Sequence, residues 1–447
     1  MAQQQDKSPD QYEIEAIPTK AFFVEMLTRD IGLNRAIIDL VDNSIDGARR
    51  LRPDAAATLA GLQIVIRANK DEFVIEDNCG GIDVELARHY AFRMGRAKGT
   101  PSTPNSVGQF GVGMKRALFK LGNCFVVSSK TVSNSFSMTV DVAKWQDDDA
   151  WRFKFDKVET DLDIPVENTG TTIRVTKLHD AVANSFALEK FRIGLAREIE
   201  VAQKHYISRG MGIMFNTSAL IAEPWTLLRG YELEPAFVHD TYDAYPKPVT
   251  VRIYAGLSTS NPREAGWYVI CNGRMVVEAD QTNLTGWGEA EDTKVLAPKY
   301  HNQFARFRGY VFFDCEDAGL LPWNTTKTGV DADSPLFMGT RLKMVSTMRP
   351  VIDFLNELDA EREGADPDLP LNTAVNKTSP VPLNSIFRKD AFARPAKGLV
   401  LAPPVTTISY KREKDKIDAM KKALGAGSAK EVGEKSFDLY YRSYVED

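Results

Sequence analysis

The sequence predicts an α+β protein with helices on a mixed, largely antiparallel sheet, and three observations carry that prediction. Ala36–Ala48 (AIIDLVDNSIDGA) has helical periodicity: at about 100° per residue, Ile38, Val41, Ile45 and Ala48 share one face. Leu62–Arg67 and Glu72–Glu76 are β-rich runs separated by Ala68-Asn-Lys-Asp71, so they pair as strands. Beyond a helical stretch at Gly113–Leu121 come strand-like runs at Cys124–Lys130, Phe136–Val142, Trp151–Val158 and Thr171–Val175. Helices beside a run of neighbouring strands make a layered α+β core.

The elements follow in order. Residues 1–20 form a polar leader ending at Ile17-Pro18, and residues 21–50 carry helical periodicity throughout. A helix is expected over Val84–Met94. Residues 95–107, with two prolines and two glycines, read as loop. A first domain boundary falls at Leu178–Ser185, ahead of a long helix from Phe186 to Tyr206. The second region mixes strands (Val249–Ala255, Gly266–Asn272, Arg308–Phe313) with a helix from Leu336 to Glu361, and Asn272-Gly273 suits a tight hairpin turn. Beyond Gly364, prolines punctuate an extended tail. The expected domains are therefore 1–20, 21–183, 184–364 and 365–447.

Composition bounds the class. A chain of 447 residues exceeds one ordinary core. Its 43% hydrophobic and 26% charged residues are those of a globular protein. No apolar run is long enough to span a membrane, and Met1-Ala-Gln-Gln-Gln-Asp6 lacks the regions of a signal peptide. Cys79, Cys124, Cys271 and Cys315 are scattered without metal-ligand spacing, as in a reducing, cytoplasmic compartment. The net charge of −5 argues against a chain that coats nucleic acid all over, while leaving room for a local basic surface.

Three segments carry chemistry. Asp39, Asn43 and Asp46, at i, i+4 and i+7, gather on a second face of the first helix. Such a row costs stability unless it lines a site, and an amide oxygen near a carboxylate suits Mg²⁺. Asp77-Asn78-Cys79-Gly80-Gly81 follows a strand. Taken alone it is either a turn or a carboxylate placed for an exocyclic amine, with glycines admitting a flat ring. Gly108-Gln-Phe-Gly-Val-Gly-Met-Lys115 puts three glycines before a helix, where backbone N–H groups can face phosphates. Its pattern is neither a Walker A nor a Rossmann fingerprint. Gly170-Thr-Thr-Ile173 in isolation is a strand start.

In this order, the four segments resemble the Bergerat-fold (GHKL) ATPases, the superfamily of gyrase, Hsp90, histidine kinases and MutL. Ala36–Ala48 and Val107–Leu121 look most like the microrchidia-type branch. The resemblance is strong over residues 21–178, weaker over 186–362 and absent from the leader and tail. It implies a Bergerat α/β sandwich followed by an S5-like transducer domain, with ATP and Mg²⁺ as cofactors. Asn43 would hold the metal, Asp77 read the adenine amine, and Thr171 support a water there. Gly81 would lie against the ring with Ile82 beside it, while position 79, a cysteine here, takes no assigned role. Gly108, Gln109, Phe110, Gly111, Val112 and Gly113 would wrap the phosphates. Lys98 either reaches the phosphates or is solvated. Asp46 matches a structural position of the family, Asp42 points off the site face, and Lys115 is expected as a helix-surface charge.

The sequence departs from the family at the general base, where Asp39 replaces the usual Glu. Its carboxylate is one methylene shorter, and general-base catalysis, worth roughly 10²–10⁴-fold, depends on geometry first. Slow hydrolysis is the expectation. Leu321–Gly329 (LPWNTTKTG) resembles the loop by which a second domain inserts a lysine, here Lys327, toward the γ-phosphate.

The implied mechanism is an ATP-dependent homodimer closing as a clamp, with the leader as a strap. DNA is the expected client by resemblance to the microrchidia and MutL proteins, with a protein client or partner subunit left open and no membrane involved. Arg388–Lys422 holds ten Lys/Arg against four Asp/Glu. Such a mixed-sign segment is a solvated face, a protein contact or a DNA contact. The alternatives are a nucleotide-sensing interaction module and an Hsp90-like chaperone. A histidine kinase is disfavoured, because no phospho-acceptor helix precedes the nucleotide region and the chain's histidines are isolated.

Overall fold

The computed structural model describes residues 18–54, 57–95, 103–108, 111–288, 290–291, 294–295, 297–363, 369–387, 391–395 and 408–445. The expectations for residues 1–17, Lys98, Gln109 and Phe110 lie outside the described residues. The chain divides into two compact units, Met1–Pro395 and Ala396–Asp447.

The larger unit opens with α1 (Lys20–Arg29) and α2 (Leu33–Leu51). The periodicity over 21–50 is interrupted at Asp30-Ile31-Gly32, where Gly32, a poor helix former, takes extended backbone as the cap of α2. On α2 the stripe Ile38, Val41, Ile45 and Ala48 is fully buried. There follow β1 (Gln63–Ala68), β2 (Phe73–Asp77), α3 (Val84–Leu86), α4 (Gly113–Leu121), β3 (Gly122–Lys130), β4 (Ser135–Asp141), α5 (Val142–Asp147), β5 (Lys157–Glu159), β6 (Gly170–Leu178), α6 (Asp180–Ala187), α7 (Glu189–Ile207), β7 (Gly212–Phe215) and β8 (Ser218–Ala219). These strands form one sheet in the order β5-β4-β3-β6-β2-β1-β7-β8. Every pair is antiparallel except β1 with β7, so the sheet is mixed and largely antiparallel.

Three expected elements differ. The helix over Val84–Met94 is one α-turn, α3, continued by a wider π-helical turn at Ala87–Ala91. Of the Trp151–Val158 run, only the end joins the sheet. Its alternation comes from aromatic packing, with Phe153 against Phe125 and Phe155 against Phe136, rather than from a ladder. The long helix expected from about Phe186 begins at Glu189 as α7, because Leu188, with extended backbone, separates it from α6.

A second layer contains β9 (Thr226–Arg229), β10 (Ala236–Tyr242), β11 (Val249–Leu257), β12 (Gly266–Cys271), β13 (Arg274–Asp280), the short pair β14 (Ala290–Glu291) and β15 (Lys294–Val295), β16 (Phe307–Asp314) and α8 (Pro335–Glu363). Five of these make a sheet in the order β10-β11-β16-β12-β13. Asn272-Gly273 is the β12–β13 turn, both residues having positive φ (47° and 82°), as a two-residue hairpin of this hand requires. After α8, α9 (Pro370–Asn376) and β17 (Ser379–Pro382) pack back, β17 pairing with β9. Residues 370–382 are thus structured, with Pro370 in the first turn of α9 and Pro380 and Pro382 on the edge strand β17. The smaller unit is the helix pair α10 (Lys414–Leu424) and α11 (Ala429–Tyr444). Among the described residues, no helix is long and apolar enough to cross a membrane.

Candidate nucleotide site

Sheet register builds one end of the site. Asp77 ends β2 opposite Thr171 of β6, and Thr171 lies opposite Ser129 of β3. The Asp77 carboxylate accepts hydrogen bonds from the Ser44 hydroxyl (2.6 Å), the Cys79 N–H (2.9 Å) and the Thr171 N–H (3.3 Å). Burial outweighs these bonds and raises its pKa. One lone pair on Oδ2 remains for a further donor. Ser129 Oγ meets Thr171 Oγ1 at 2.9 Å and accepts from the Ile82 N–H at 2.7 Å. Gly81 needs to be glycine twice over. Its φ is +70°, and a Cβ there would fall 2.1 Å from the Lys130 carbonyl oxygen. A cavity of about 40 Å³ lies among Ser44, Asp77, Cys79, Gly81, Ile82 and Thr171.

A second cavity, of about 210 Å³, adjoins it, with Asn43, Arg50, Ile82 and Met114 lining both. Its walls include Asp39, Asn43 and Asp46 from α2, Gly108, Gly111, Val112 and Gly113, and Lys327. Asp46 holds the glycine segment by its backbone, accepting from the Val107 and Gly108 N–H groups at 2.7 Å each. Burial nevertheless raises its pKa. A Cβ on Gly108 would sit 2.8 Å from Asp46 Oδ2, so a larger residue there would displace the Asp46 carboxylate. No side chain caps the start of α4. Its first N–H groups, which lack intrahelical acceptors, and the positive end of its dipole suit an anion.

Lys327 reaches this cavity from a loop nearly 300 positions away in sequence. The loop folds on itself: the Asn324 side chain accepts from the Thr328 N–H (3.0 Å) and the Thr326 hydroxyl (3.1 Å), and the Lys327 N–H donates to the Asn324 carbonyl (3.0 Å). Lys327 sits at the tip with φ +53°, an uncommon conformation for a side-chain-bearing residue that marks a constrained position. Its buried ammonium lies 2.9 Å from Asp42 Oδ2 and 3.6 Å from Asp39 Oδ1. Burial acts to lower its pKa, yet Asp42 and Asp39 more than offset this and hold it above the ordinary value. Asp39 Oδ2 in turn accepts from Arg116 of α4 at 2.7 Å. The cavity wall carries Arg50, Lys115, Arg116 and Lys327 against Asp39 and Asp46, a surplus of basic side chains that suits a polyphosphate.

Every sequence-predicted site residue among those described lines one cavity or the other. One expectation is corrected and another is extended. Lys115 is buried rather than a helix-surface charge. It donates to the Ala91 carbonyl (2.9 Å) and that of Gly111, lines the larger cavity, and has its pKa pushed down to about 8 by burial. Asp42 does point away from the cavity, but into a buried cluster that holds Lys327. The residues sequence reasoning missed are Ser44, Arg50, Met114, Arg116, Ser129 and Thr325. Ser44 adjoins Asn43, and Arg116 lies within the quoted lid motif. Ser129 carries no local signal, because only strand register brings it to the site.

The donor set fits a metal that arrives with a polyphosphate. Among the described residues, no group of three or more His, Cys, Asp or Glu could hold a metal ion. Asp46 has both oxygens on backbone N–H groups, and Asp39 Oδ2 is on Arg116. The Asn43 amide faces both cavities, and its buried NH₂ has no partner among the described residues. Its oxygen is the protein ligand such an ion would take, with phosphate and water oxygens completing the shell.

A mixed α+β sandwich whose helix carries Asn43 between a half-buried Asp77 and a helix start preceded by glycines defines a nucleotide-binding class. In agreement, residues 31–171 match the family described as histidine kinase-, DNA gyrase B- and HSP90-like ATPases. This segment is a GHKL-type ATPase domain, a class that binds ATP, usually with Mg²⁺. No curated protein matches the chain.

Proposed function

We propose that the chain is a GHKL ATPase that reads the γ-phosphate of ATP through Lys327 and uses it to close a homodimeric clamp, with duplex DNA as the client. The observation that carries this reading is the Lys327 ammonium. It comes from beyond the ATPase segment, yet lines the cavity that holds Asp39, Asn43 and the start of α4. A cation so placed feels the charge lost when a triphosphate becomes a diphosphate. Residues 184–364 are the transducer in this reading. The client follows from the resemblance to the microrchidia and MutL proteins, an analogy at the level of family.

A second reading, a nucleotide-sensing interaction module with little turnover, is favoured by Asp39 itself. Its carboxylate is short, and Arg116 already occupies one oxygen. A general base so engaged is poorly placed to take a proton from water.

The test is light scattering coupled to sizing, on wild type and Asn43→Ala, with ATP or a non-hydrolysable analogue plus Mg²⁺, with and without duplex DNA. Nucleotide should double the mass of the wild type only, with DNA co-eluting. An unchanged mass overturns the clamp. Dimers indifferent to DNA favour the sensing module, as does phosphate release no faster in wild type than in Asp39→Asn.

A further inference from the structure

Asp42 is fully buried and does not line the cavity, yet three elements from beyond residue 171 converge on it. Lys327 donates to its Oδ2 at 2.9 Å, Gln203 of α7 donates to its Oδ1 at 2.7 Å, and Arg274 Nε at the start of β13 lies 3.3 Å from Oδ1. Burial alone would push the pKa of this carboxylate up, but Lys327 and Arg274 hold it below the ordinary value, so it stays ionised. An ammonium has three donors. One of those on Lys327 is held from behind by Asp42, while Lys327 itself lines the cavity.

We infer that Asp42 is a positioning residue: its carboxylate, oriented by Gln203 and Arg274, fixes Lys327 so that a free N–H donor meets the terminal phosphate. This rests on the nucleotide reading above and adds a cause for the lysine's aim. A flexible lysine on a loop tip would lose rotamer freedom on meeting a phosphate. One already bound to a buried carboxylate has lost that freedom on folding, so the phosphate gains the contact at smaller cost. The same pair makes the position of the Lys327 loop depend on α2, which carries both Asn43 and Asp42.

The experiment compares affinities of the full chain for a non-hydrolysable ATP analogue and for ADP, both with Mg²⁺. Asp42→Asn keeps the shape and one acceptor but removes the charge that holds Lys327. Losing a charge-assisted hydrogen bond is expected to cut the analogue-to-ADP affinity ratio about tenfold, with ADP affinity changed less than about twofold. General structural damage would weaken both ligands alike. Lys327→Ala should give the same loss, and the double variant no more than either single one, because the two residues act as a unit. Where Asp42→Asn does not fold, Gln203→Leu removes only the neutral donor behind Asp42 and should lower the ratio about threefold.

A wild-type ratio retained in the folded variant, or additive losses in the double variant, overturns the inference. Wild type binding neither ligand overturns the nucleotide reading itself, a separate result.

Discussion

Asp77→Asn tests whether the narrow end of the site reads a base. In the folded chain Asp77 Oδ1 accepts from two backbone N–H groups and Oδ2 from the Ser44 hydroxyl. An asparagine must therefore keep its single oxygen at the Oδ1 position, since an NH₂ there would face two donors. Its NH₂ takes the Oδ2 position, where the Ser44 hydroxyl can turn to accept. Burial already opposes the Asp77 charge, so the amide costs the fold little. The nucleotide meets a different result. The adenine amine, which would donate to the free lone pair of Oδ2, now faces a donor. Losing a hydrogen bond to a charged acceptor costs about 1.5–3 kcal/mol, or roughly 10- to 150-fold in ATP affinity. A purine with a carbonyl at the same position should show the reverse preference, since it offers an acceptor to the new NH₂. The assay is calorimetric titration of wild type and Asp77→Asn with ATP and inosine triphosphate, with thermal unfolding as the control. Equal ATP affinity in the two proteins, or equal losses for both nucleotides, would refute the assignment of Asp77 to base recognition.

Two other perturbations test the wide end and its support. The folded-state pKa of Lys115, about 8, lies below its ordinary 10.5, so the unfolded chain holds more protons between these values and stability rises with pH across that window. A polyphosphate in the cavity favours the ammonium, so binding near pH 8 should take up part of a proton. Titrations in two buffers of different ionisation enthalpy measure this, and uptake unchanged in Lys115→Met would sink the idea. Asn272 at the hairpin turn donates to the Ser106 and Cys315 carbonyls and accepts from the Cys315 N–H, bracing the chain just before Val107 and Gly108. Asn272→Ala strands these buried groups at a positive φ of 47° and should cost about 2–4 kcal/mol in denaturant unfolding. An unshifted midpoint would show that the turn does not brace the segment.

Much of the nucleotide domain is legible because its signals are local. The burial stripe of α2 follows from the spacing of Ile38, Val41, Ile45 and Ala48, and α4 begins where the glycines end. Helix period alone brings Asp39, Asn43 and Asp46 to one cavity. Misreadings arise where one local pattern serves two structures. The alternating aromatics of Trp151–Val158 are packed without a ladder, and the periodicity over 21–50 runs past the break at Gly32. The helical appearance of Lys115 hid its burial, because an amphipathic pattern does not show where a neighbouring segment covers the polar face, as Ala91 does here.

The sequence by itself determined the α+β class, the helix that carries Asn43, the strand end at Asp77 and the glycines that precede α4. Each of these depends on residues a few positions apart. The tertiary structure decided which distant groups meet them: Ser129 through strand register, Arg116 on Asp39, and Asp42 as the partner of Lys327, 285 positions on. The reason is physical. A periodic pattern records which face of an element is covered, whereas the pairing of a buried charge is settled only when whole layers pack and each ion must find its counter-ion.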